Sequence, residues 1–184
     1  MVIRRTNGYP NVYPDVDVVE ELKILGVTWN SSLTWNSHFS KVLRFSSQRL
    51  YVIRTLKPLM SKERLIMVYK SIVLSLILYA APLFAWLPKR TEEKIEKFQR
   101  RVHRLICEKQ CDCNHFRKVS SVRESKACSF LLKCECTQHH PLHALVPTRL
   151  PRSGQFNQPE ARTSRRLRSF FPWTCYLLDT GSNG

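Results

Sequence analysis

Lys94, Lys97, Arg101 and Arg104 carry the chemistry this sequence displays most plainly. At about 100° per residue they superpose on one side of a helix, flanking the apolar stripe Ile95, Phe98, Val102, Leu105 and Ile106 without interrupting it. A row of cations about a turn apart can follow a sugar–phosphate backbone, releasing counterions without reading bases. Lys41 and Arg44, with Arg49, Arg54 and Lys57, extend the positive charge over an earlier helical segment in less regular phase. A solvated helix face is the bland account of the same residues; the charge of the whole chain tips the reading toward nucleic acid.

Other constellations are weaker. Cys111-Asp112-Cys113 and Cys134-Glu135-Cys136, with His115, His139, His140 and His143 nearby, read as halves of a thiolate zinc site. Only one residue separates each cysteine pair, however, where zinc knuckles place two or more, so unligated thiols are preferred and no metal ligand is assigned. Asp15 and Asp17 share one face of a strand and could hold metal ions, but no third carboxylate lies near. His103 and Cys107 are four apart on a helix, with nothing to supply an oxyanion hole. No catalytic residue and no cofactor is assigned.

Composition sets the class. The chain has 184 residues, 30 Lys+Arg against 14 Asp+Glu, and a net charge of +16, with 43% hydrophobic residues, enough for a core. Such an excess points to a polyanionic partner. Only five glycines occur, and none between Val27 and Ser153, which excludes the phosphate loop and the dinucleotide fingerprint. Seven cysteines and no apolar signal segment after Met1 imply reduced thiols and an intracellular location, nuclear or cytoplasmic. Ser71 to Leu87 carries no charge, but it falls short of the roughly 20 residues a bilayer requires and is broken by Pro82. A buried helix turning at that proline is the reading taken, with no membrane partner.

The elements that must position these residues follow from periodicity. Residues 1–35 read as short strands with a hairpin or edge element around Gly26. From Asn36 the period becomes helical: Phe39, Leu43, Ser46, Leu50 and Ile53 share a face, and Pro58 ends the segment. A second helix starts after Ser61 and runs to about Ala80, and a third starts at Thr91 with Glu92 and Glu93 in its first turn. The expected fold is mainly α: a small N-terminal β element, a three-helix thumb-like bundle over 36–110, a Cys/His-rich helical or irregular segment over 111–140, and a loosely ordered Pro-rich basic tail over 141–184.

Five stretches together resemble the C-terminal portion of reverse transcriptases from non-LTR, LINE-type retrotransposons. They are Lys23-Ile24-Leu25-Gly26-Val27-Thr28, Leu33-Thr34-Trp35-Asn36-Ser37-His38, Tyr69, Leu78-Tyr79-Ala80-Ala81-Pro82-Leu83-Phe84, and the helix from Ile95 to Ile106. The tail from Ala161 to Pro172 is similar to the ending such open frames carry. The resemblance implies that Leu25, Gly26 and Val27 form a primer-grip-like turn. It also implies that the helices after it are thumb-like, and that a primer–template duplex of RNA and DNA is the partner.

That family's catalytic Tyr-x-Asp-Asp turn has no counterpart, since no two Asp residues are consecutive in the chain. The expectation is therefore a truncated fragment of an RNA-directed DNA polymerase, not an enzyme by itself, that binds nucleic acid without regard to sequence. The alternative is a helical module that docks a protein or self-associates through an orphaned apolar surface. A zinc-stabilised nucleic-acid-binding tail is a third, lesser possibility.

Overall fold

The computed structural model describes residues 2–3, 18–32, 34–84, 86–107, 116–157 and 163–181. Asp15, Asp17, Cys111, Cys113 and His115 lie outside them. The chain divides into two units, Met1–Ile77 and Leu78–Gly184.

In the first unit, β1 (Val2–Ile3) and β2 (Val18–Val19) pair in parallel, and β3 (Glu21–Ile24) and β4 (Val27–Asn30) form an antiparallel hairpin with Leu22 opposite Trp29. The hairpin turns on two residues, Leu25 at φ 47° and Gly26 at φ 83°. Two positive φ values give the turn whose twist matches that of the flanking strands. Glycine adopts this conformation freely, whereas Leu25 does so at a cost of about 1 kcal/mol.

The hairpin is fastened to the first helix. Asn30 and Thr34 close the intervening turn through two hydrogen bonds of 2.7 Å, and Trp29 meets Trp35 edge-on at 4.9 Å. Helix α1 (Asn36–Leu56) then buries His38, Phe39, Ser46, Leu50 and Ile53, close to the face read from its periodicity. The buried Nδ1 of His38 accepts the backbone N–H of Thr28 at 3.3 Å, tying β4 to the first turn of α1.

Ser61 is extended and precedes α2 (Lys62–Tyr69), as expected. The second helix is not uniform, however: Lys70–Leu74 form a π-helical turn, and α3 (Ser75–Ile77) ends the unit. Tyr69, Val73 and Ile77 are all buried, so the wider turn keeps a four-residue spacing on the inner face.

Near the start of the second unit Ala80, at φ 52°, ends the helical path, and a 3-10 turn follows at Ala81–Phe84. Helix α4 (Lys89–Ile106) begins two residues before the expected Thr91; Pro88, which cannot donate, stands at its N-cap and Thr91 is buried in its first turn. Helix α5 (Val119–Cys136) lies against α4 and the 3-10 turn, burying Val119, Arg123, Ala127, Leu131 and Cys134. After a 3-10 turn at His143–Leu145 come α6 (Ser164–Leu167) and α7 (Phe170–Gly181).

The mainly helical fold with a small N-terminal antiparallel sheet is the one expected. The grouping of helices differs from the segment boundaries drawn on the sequence. Helices α1, α2 and α3 belong to the first unit, whereas α4 belongs to the second, where α5 covers its apolar face. Helical period shows that a face must be buried but not which partner buries it.

Among the described residues between His140 and Phe170, regular structure is limited to a 3-10 turn and the short α6. The tail is nevertheless pinned to α5: Phe156 and Cys175 are buried with Leu131, and Val146, Phe170, Phe171 and Leu178 pack around them. Arg149 adds a forked pair of bonds to both carboxylate oxygens of Glu135, bonds the carbonyl of Gly154 at 2.9 Å, and stacks 4.1 Å over the ring of Phe156.

Candidate nucleic-acid interface

Helix α4 is the most strongly two-faced of the long helices among the described residues. Ile95, Phe98, Val102 and Ile106 are buried, each side chain contributing about 2 kcal/mol on burial, and this fixes the rotation of the helix. Two polar contacts fix it further. Gln99, only 6% exposed, donates from Nε2 to the carbonyl of Arg117 at 2.6 Å and accepts the amide of Val119 on Oε1 at 3.2 Å. It thereby satisfies one of the orphan donors at the start of α5. Glu92 accepts a hydrogen bond from the buried guanidinium of Arg123.

With the rotation set, Lys94, Lys97, Arg101 and Arg104 all stand exposed. None of the four side chains forms an ion pair or a hydrogen bond among the described residues. Arg90, also exposed and one turn before Lys94, falls in the middle of the same row, which then runs for about 21 Å at 1.5 Å per residue. The sequence reading missed Arg90 because it placed the helix start at Thr91. Glu92 and Glu96 lie on the other flank, lining an open depression beside α5, but Glu93 stands one turn before Lys97 at the edge of the row, and both of these line that depression too. The row is thus net positive, with Glu93 the one acid of α4 at its edge.

The other candidates are placed differently. Lys41 is held by Glu21 at 2.7 Å; that bond and a second from Ser37 keep the Glu21 carboxyl below its ordinary range. Lys41 is thus engaged, while Arg44 is exposed. Both belong to the first unit and α4 to the second. Of the primer-grip-like residues, Val27 is buried at 2%, Gly26 turns the chain, and Leu25 projects at 85% exposure.

The chemistry of the thiols is quiet. Cys134 and Cys136 do not form a chelating pair, because two residues apart on α5 they face different sides: Cys134 is buried and Cys136 exposed. Cys134 Sγ lies 3.8 Å from His140 Nε2, and Leu142 donates its amide to His140 Nδ1, so the ring hydrogen resides on Nε2. Burial pushes the Cys134 thiol above its usual range. Among the described residues no group of three or more His, Cys, Asp or Glu is placed to hold a metal ion. Cys107 is the buried C-cap of α4, and its amide donates to the carbonyl of His103 at 2.7 Å.

Ser71 to Leu87, read as a buried helix turning at Pro82, is divided among the π turn, α3 and the 3-10 turn. No helix of the described residues is long and apolar enough to cross a membrane. Comparisons of the chain with protein-family models, with curated proteins and with solved structures give no match.

Proposed function

We propose that the chain binds double-helical nucleic acid through the row Arg90, Lys94, Lys97, Arg101 and Arg104, without sequence preference, as the primer-grip and thumb-like portion of a non-LTR reverse transcriptase. The observation that carries the reading is the exposure of all five cations on one side of α4, none of them in an ion pair among the described residues, with Glu93 the one acid of the helix beside them. Neutralising several phosphates at once suits backbone contact, and no aromatic side chain interrupts the row to read or stack on bases. No polymerase step is assigned to this chain's residues, since it holds no consecutive Asp pair.

The test is binding of the full chain to a labelled primer–template duplex across a salt series. Affinity should fall steeply with salt, and Lys97→Glu with Arg101→Glu should lower it more than tenfold while flattening the slope by about 2. Unchanged affinity and slope in that double variant would refute the reading.

A second reading, a helical module that docks protein or self-associates, has support in the exposed Leu59 (77%) and Met67 (61%). Association through such residues would persist at high salt, where the electrostatic mode fades.

A further inference from the structure

We infer that the outward face of α1 is a stacking platform for single-stranded nucleic acid, a mode of contact different in kind from the row on α4. It rests on the reading that the partner is a nucleic acid but not on the residues of that row.

Helix α1 has 21 residues and not one Asp or Glu, while Lys41, Arg44, Arg49 and Arg54 lie along it. Its inner face is filled by Phe39, Leu50 and Ile53, which leaves large side chains outside: Tyr51 is 72% exposed, Phe45 57% and Val52 43%. Tyr51 and Phe45 are not accounted for by packing, and neither ring meets another aromatic ring among the described residues. On helical geometry Tyr51 and Phe45 lie about 120° apart around the axis, on either side of the outward direction, with Arg44 two turns before Tyr51 on its line and Val52 on that of Phe45. Arg49, four residues beyond Phe45, borders that ring and donates one hydrogen bond to the carbonyl of Ile72. The outward side therefore carries two exposed rings, Phe45 with Arg49 one turn beyond it and Tyr51 with the exposed Arg54 three residues beyond it.

That combination selects its occupant. A single strand presents both unstacked bases, whose faces cover aromatic rings, and phosphates that answer the cations. A duplex hides its base faces, so it could use only the cations. A second copy of the same helix would oppose like charges, since no acid on α1 is present to answer an arginine. The row on α4 is the converse case, cations with no ring among them.

The experiment uses the full chain with two probes, labelled oligothymidylate and a mixed-sequence duplex, and two double variants. Phe45→Ser with Tyr51→Ser should weaken oligothymidylate binding by about tenfold or more and leave the duplex affinity within about twofold. Both positions are exposed, and matching circular dichroism and melting curves would verify that the fold is kept. Lys97→Glu with Arg101→Glu should show the opposite selectivity. Unchanged oligothymidylate binding in the α1 variant overturns the inference. So does an α1 variant that alters only sedimentation, which would assign the face to self-association. Failure of the α4 variant alone would count against the proposed function and leave the platform standing.

Discussion

Glu92 and Arg123 join α4 to α5 through an ion pair in which the arginine side chain is 4% exposed and the glutamate 33%. The pair has two consequences. It fastens the first turn of α4 against α5, and it occupies an acid of α4 on the flank away from Lys94 and Arg101.

Removing one partner strands the other. Glu92→Gln should leave the Arg123 guanidinium buried without its counter-charge and destabilise the second unit by about 3 kcal/mol, the lower end for broken buried pairs because Glu92 is partly hydrated. Urea unfolding would measure this, and a change under about 1 kcal/mol would show that water replaces the carboxylate.

The hairpin offers a gain. Leu25→Asn supplies at φ 47° a residue that tolerates the left-handed region and creates the favoured Asn-Gly turn, so stability should rise by about 1 kcal/mol. If Leu25 also touches a nucleic-acid strand, as the grip-like resemblance implies, the same variant should bind more weakly while melting higher. A melting temperature at or below that of the parent would show that Leu25 is not strained.

His38 makes the first unit sensitive to acid. Burial, and secondarily the charge of Lys41, hold its imidazole below the ordinary value of 6.5. The contact with the Thr28 amide also requires an unprotonated Nδ1. The unfolded chain takes up the proton first, so this contribution is fully present above about pH 6.5 and is lost as pH falls through the lowered value. Stability measured from pH 7.5 down to 5 should decline, and His38→Asn should flatten that part of the profile. An unchanged slope in the variant would remove His38 as the cause.

Arg90 and Arg100 separate the row from general surface charge. Arg90→Glu should weaken duplex binding severalfold and flatten the salt slope by about 1, whereas Arg100→Glu, beside Glu93 and Glu96, should do less. Equal effects would mean that net charge, not alignment, drives binding.

The thiols should react in a fixed order. Cys136 is exposed, whereas burial and then the nearby Asp179 push Cys175 up to about 12, and burial also raises Cys134. In the folded protein a thiol reagent should modify Cys136 first among the described thiols and leave Cys134 and Cys175 until unfolding. Early labelling of Cys175 would show that the contact of α7 with α5 opens readily.

Much of this was legible in the residues themselves. The spacing of Ile95, Phe98, Val102 and Ile106 determined that α4 would be amphipathic, and the same spacing aligned Lys94 with Arg101, because one helical period governs both faces. Gly26 marked the turn and Ser61 the start of α2. Tertiary packing decided what period leaves open. It set α5 as the partner that fixes the rotation of α4 and paired Glu92 with a buried Arg123. It also engaged Lys41 with Glu21 and parted Cys134 from Cys136. Local sequence determines which faces exist, because backbone geometry is short-ranged. Which groups meet depends on residues far apart in the chain, whose contacts form only when the whole unit closes.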